Sequence, residues 1–108
     1  MIVILSSVRS NLDSPVEKRF GRSPWCIKYD TESDQWEAFE NSAVALHGGA
    51  GVAAAQFVAD QKVDMVISGD FGPNAAAALN ASKIKMVRYP EAVKTIKDAV
   101  KFIKTDNQ

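Results

Sequence analysis

"HGGAGVAAAQFVADQKVDMVISGDFGPNAAAALNASKIKMVRY", residues 47–89, changes its hydrophobic rhythm three times, and those changes decide the fold. "HGGAG" opens an alanine-rich run in which Val52, Gln56, Ala59 and Ala55, Phe57, Val58 make a small-residue helix able to lie close to a sheet. "DMVISGD" reads as a buried strand. "FGPNAAAALNAS" follows as a second helix, with Pro73 suited to the first helical position because its missing N–H would be unpaired there in any case. "IKMVRY" is the next strand. Two successive helix–strand units of this kind build a parallel sheet.

Working outward, "IVILSS" is a continuous apolar, β-branched run, as expected for a strand buried on both faces. It resembles a first strand more than a signal peptide, being short and without a basic leader. "PWCIKYDT" and "QWEAFEN" form a hairpin, with Trp25, Ile27 and Tyr29 on one face and Cys26, Lys28 and Asp30 on the other. Between first strand and hairpin lies a long connection with Pro15, Gly21 and Pro24, which calls for a short helix near residues 14–19 or a function of its own. A last helix opens at Pro90 and Glu91, buries Val93, Ile96, Val100 and Ile103, and leaves Lys94, Lys97, Lys101 and Lys104 as a solvated stripe. The expected fold is a three-layer α/β domain with a mixed sheet and helices on both faces, spanning residues 1–104 ahead of a frayed tail at 105–108.

Composition narrows the function. Thirteen basic and thirteen acidic residues cancel, so no global field favours nucleic acid or an anionic membrane, and any charged ligand must be read by a local patch. The hydrophobic fraction of 46% fits a globular chain, and no apolar run is long enough for a membrane span. A cytoplasmic location is the default. Cys26 stands alone, so no intramolecular disulfide and no multi-cysteine metal site can form.

Ligands of parallel sheets gather beyond the C-terminal strand ends, which here are reached by Ser6 to Arg9, His47 to Gly51 and Gly69 to Pro73. Gly49, Gly51 and Ala54 spell GxGxxA, with Asp70 about 20 residues on, as in a dinucleotide fingerprint. That motif needs a buried strand directly before it, whereas "ENSAVALH" follows a half-polar strand; a phosphate loop also lacks its GKS or GKT. His47, the single histidine, is either satisfied by nearby backbone or a metal ligand. One histidine does not hold a lone transition-metal ion, since such sites take three or four protein ligands, but it can anchor a prebuilt cluster carrying its own sulfide. Guanidinium groups and helix N-terminal N–H donors would hold the rest of such an anion, which gives Arg9, Arg19 and Arg22 a purpose beyond solubility. Cys26 is either a small buried hydrophobe or a soft ligand. No Ser/His/Asp or Cys/His pairing is readable, and "IVILSS" has no carboxylates for two-metal nuclease chemistry.

"LDSPVEKRFGRSPWCIKYD" and "HGGAGVAAAQFVADQKVDMVISGDFGPNAAAAL", in this order and spacing, resemble the dinitrogenase iron-molybdenum cofactor biosynthesis family over residues 2 to about 103. The resemblance implies a ribonuclease H-like fold with a five-stranded mixed sheet. It implies non-catalytic binding or carriage of an iron- or molybdenum-containing sulfide cluster or its precursor, in a nitrogen-fixation-related setting, with no nucleotide. Metallocluster donor and acceptor proteins would be the partners, and the chain would be a monomer or weak homodimer. Carried over by position, the family's motifs fall on Phe20, Gly21 and Arg22, on His47 and Gly48, and on Gly69 and Gly72 before Pro73. His47 becomes the expected cluster ligand, with Gly48, Gly49 and Gly51 letting a helix end approach it. Asp70 is the departure, a carboxylate that Arg9 or Arg22 would have to neutralise beside an anion. A nucleotide-binding module using residues 49–54, or a protein-interaction domain without metal, are the competing readings.

Overall fold

A computed structural model describes residues 1–41 and 49–106. Its centre is β1 (Ile2–Ser7), whose Val3, Ile4 and Leu5 are all fully buried. β1 pairs antiparallel with β2 (Trp25–Asp30), which pairs antiparallel with β3 (Trp36–Glu40). On its other side β1 runs parallel to β4 (Met65–Ser68), and β4 runs parallel to β5 (Lys85–Arg88). The sheet order β3-β2-β1-β4-β5 is the expected five-stranded mixed sheet.

Because side chains alternate along a strand, β1 feeds two cores. Ile4, with Cys26 and Val66, faces α1 (Ala50–Asp60) and α2 (Pro73–Ala81). Val3 and Leu5, with Ile27, Tyr29, Met65 and Ile67, face α3 (Ile96–Asp106). The hairpin faces are therefore as read from alternation. Pro73 does open α2. In α1, however, the buried stripe is Ala50, Ala54, Ala55 and Val58, while Val52 is exposed. Methyl-sized side chains at the contact let α1 and α2 sit close to the sheet and to each other.

Three sequence expectations need correction. Residues 14–19 are not helical: Val16 N–H donates to the Lys94 carbonyl (3.0 Å) and Glu17 N–H to that of Ser6 (3.1 Å), so long-range pairing holds this segment extended. A single 3-10 turn comes later, at Phe20–Arg22. The last helix starts at Ile96 rather than Pro90. Its start is a capping box in which Asp98 N–H donates to Thr95 Oγ1 (3.2 Å) and Thr95 N–H to Asp98 Oδ2 (3.1 Å). The lysine stripe is partly paired: Lys97 meets Asp13 at 2.8 Å, and Lys104 bonds Asp34 while lying over the Tyr29 ring.

α3 attaches through Ile96, Ala99, Val100 and Ile103, and full burial of each isoleucine is worth about 2–3 kcal/mol. Its cap sets a pH response. Backbone donors at Lys94 and Thr95 hold the Asp98 carboxyl below the usual carboxylate range. A depressed native value means a contribution fully present above the unfolded pKa of about 4 and lost as pH falls through the native one. Thr95→Ala should cost about 1 kcal/mol in urea unfolding at neutral pH. The penalty of Asp98→Ala, measured the same way, should shrink on acidification through that window.

Candidate functional site

The C-terminal ends of β1 and β4 finish in serines rather than apolar residues: Ser6, Ser7 and Ser68 are all buried. Their hydroxyls organise the chain that crosses the strand ends. Ser6 and Ser68 hydroxyls meet at 2.8 Å, and Ser7 and Ser14 hydroxyls at 2.9 Å. Ser7 N–H donates to Ser23 Oγ at 2.9 Å, while Asn41 donates to the Ser23 carbonyl at 2.7 Å. Both sides of the Phe20–Arg22 turn are thereby tied to the sheet. Phe20 N–H donates to the Asp70 carbonyl (3.1 Å), and the buried Phe20 ring lies 5.5 Å from Phe71.

This turn is pressed onto the two helix starts. A Cβ on Gly21 would lie 2.9 Å from the Gly51 Cα and N, and one on Gly51 would lie 3.1 Å from the Ala75 Cβ. Gly21, Gly51 and Ala75 thus stack the turn, α1 and α2 closely, the turn on the α1 backbone and α1 on the Ala75 methyl. Gly49, at φ 72°, makes the left-handed bend that turns the chain into α1. The result is a concavity of 340 Å³, lined by Arg19 to Arg22, Gly49 to Val52 and Gly72 to Ala75.

Both helices begin at this hollow, neither has a side-chain cap, and neither has an acidic residue in its first turn. Such positions normally favour Asp, Glu or a hydroxyl, which satisfy the unpaired N–H groups and the positive end of the helix dipole. Here two positive helix ends converge with two arginines, Arg22 and Arg19, the latter also paired with Glu17 at 3.3 Å. That combination suits an anion.

Of the residues nominated from sequence, Arg19, Arg22, Gly49, Gly51 and Gly72 meet at this hollow. Arg9 is exposed and not among its lining residues. Gly69 packs on the backbone of Lys18, where its Cβ would come within 2.7 Å of the Lys18 Cα, and it lines a neighbouring hollow with Arg19. His47 and Gly48 lie outside the described residues. Asp70 is matched by Arg88 at 3.8 Å, rather than by Arg9 or Arg22. Cys26 is buried in the core under α1 and α2, not among the residues lining the hollow, and burial pushes its thiol up to about 12. Asn74, in the first turn of α2, was not nominated; its signal was its place directly after Pro73. Among the described residues no three His, Cys, Asp or Glu side chains group as a metal site, and no helix is long and apolar enough to cross a membrane. Among the described residues the element before the GxGxxA stretch is β3, an edge strand pairing antiparallel with β2, whereas a dinucleotide fold places a parallel strand before its glycines.

Fold and site together define a small α/β protein with a hollow at the C-terminal edge of its parallel strands. The family is clear as well: the dinitrogenase iron-molybdenum cofactor family model matches residues 1–106, and the chain belongs to that family. It is similar to the apo form of the orange protein from Desulfovibrio gigas, at 29% identity and a TM-score of 0.91, covering 97% of this chain and 88% of that one. It is also similar to a NifB-type protein of the DUF35 family from Thermotoga, at 31% identity and a TM-score of 0.82, covering 96% and 87%. No curated protein matches the chain in sequence.

Proposed function

We propose that the protein binds an anionic metal-sulfide cluster containing iron or molybdenum, or a precursor of one, as cargo, without transforming it. The supporting observation is the convergence of two uncapped helix starts with Arg19 and Arg22 on one concavity. The donor set suits a preformed anion that brings its own sulfide, because N–H and guanidinium groups bind charge at the periphery and leave the metal's inner ligands alone. His47, two residues before Gly49, is the proposed direct ligand or close partner. Gly48 and Arg9 stand as further proposed contacts through the family motif and the shared rim, and Gly69, also in the motif, as a proposed support of the site through its close packing on Lys18. Donor and acceptor proteins of metallocluster assembly are the proposed partners of a cytoplasmic carrier, which acts as a monomer or weak homodimer.

The test is anaerobic production with iron, molybdate and sulfide, followed by metal analysis and visible absorption of wild type and His47→Ala. Retained metal with a sulfide-to-metal charge-transfer band is expected in wild type, with loss in the variant. Wild type that retains nothing under several metal supplies overturns the reading. Equal retention in both removes His47 from it.

A further inference from the structure

The extended segment leading into the Phe20–Arg22 turn separates the concavity from a second hollow of 670 Å³, within the range of small-molecule pockets. This one lies on the α3 side, beyond the C-terminal ends of the parallel strands β4 and β5, where Gly69 and Tyr89 follow Ser68 and Arg88. Its apolar lining comes from Val16, Val93, Pro90 and the ring of Tyr89. Val93 is buried, and the Tyr89 hydroxyl donates to the Ser6 carbonyl at 3.0 Å, which fixes the ring. The charged lining is Lys18, Arg19, Lys94, Asp70 and Glu91. Two of these are already matched outside the hollow, Arg19 by Glu17 at 3.3 Å and Asp70 by Arg88 at 3.8 Å. Lys18 and Lys94 remain against Glu91, a net positive rim around an apolar floor.

We propose that this hollow is a second binding site, distinct from the cluster concavity, for a small organic anion: a carboxylate carried on an apolar, aromatic or branched body. The carboxylate is held at the Lys18 and Lys94 rim, and the body covers Val93 and Tyr89. Glu91 favours a ligand that also offers a hydroxyl or ammonium donor. An inorganic anion has no body for the floor, and a neutral apolar molecule leaves the lysines unmatched, so each meets one requirement and fails the other.

The experiment is an amide chemical-shift titration of the ¹⁵N-labelled full chain with benzoate, beside inorganic phosphate as a charge-only probe and benzyl alcohol as a body-only probe. Saturable shifts at Gly69, Asp70, Tyr89, Glu91 and Lys94 are expected with benzoate, with clearly weaker effects from the other two. Lys94→Glu should weaken benzoate about fivefold, whereas Arg22→Glu should leave it unchanged. Both positions are exposed, so a native amide spectrum is expected from each variant. The proposal is overturned if the shifts do not saturate, if phosphate or benzyl alcohol reproduces them, or if they map to Gly49–Val52 and Asn74. It is equally overturned if Lys94→Glu and Lys18→Glu both bind benzoate like wild type.

Discussion

Gly21→Ala should lower stability by about 2–3 kcal/mol in urea unfolding, near the upper end of what one added methyl does to a packed contact. The new Cβ would lie 2.9 Å from both the Cα and N of Gly51. These are backbone atoms, so no rotamer change relieves the overlap, and α1 itself has to move. Gly51 is in turn 3.1 Å, by its own hypothetical Cβ, from the Ala75 Cβ, so the displacement passes into α2. Gly72→Ser is the matched comparison. Its φ of −63° and ψ of 159° suit any residue, its Cβ would meet nothing within 4 Å, and serine is a favoured helix cap. That variant should equal or exceed wild type in stability. A similar loss in both would show that the Gly21–Gly51 contact does not support the fold as described.

Charge reversal at the hollow, Arg19→Glu with Arg22→Glu, should reduce retained metal about tenfold or more under limiting metal supply. Two positive charges give way to two negative ones beside two helix N-termini. Hydrogen bonds to charged groups contribute about 1.5–3 kcal/mol each, and exposure of both arginines discounts that to roughly 1 kcal/mol apiece. Together this is at least one order of magnitude. Raising ionic strength should weaken wild type in the same direction, since charges at an open hollow are screened over about 10 Å at 0.1 M salt. Unchanged retention by the double variant, in a chain that still unfolds cooperatively, would place the cargo elsewhere.

The order of strands and helices was legible because it rests on local rhythm. Val3, Ile4 and Leu5, or Met65 to Ser68, are buried runs whatever their partners, and Pro73 marks a helix start by its own covalent structure. The start of α3 was not legible. Pro90 and Glu91 look like an opening turn, yet Thr95 sits at the bridge to Pro15, and the Lys94 carbonyl serves Val16, so the chain stays out of helix until the Thr95–Asp98 box. The same long-range pairing hid the extended course of residues 14–19. At the site, sequence supplied Arg19, Arg22 and the glycines, but could not sort the glycines by role. Among the described glycines, Gly51 and Gly69 are close-packing positions, Gly49 is a bend, and Gly72 has neither reason. The neutralisation of Asp70 by Arg88 is also a matter of register, β5 lying beside β4 with Arg88 opposite Ser68.

The stacked contact of Gly21, Gly51 and Ala75 has a kinetic side. The antiparallel half, β1 to β3, is complete by Glu40, whereas β1 and β4 meet only after some sixty residues of intervening chain, as Val3 opposite Met65 shows. Pairings of such separation form late, because loop closure is unfavourable until the docked surface compensates it. The hollow draws the 3-10 turn from the first half and both helix starts from the second, so it comes into being only when the halves have docked. A nascent or partly opened chain has no such hollow, and any ligand taken there selects the fully assembled state and stabilises it by mass action.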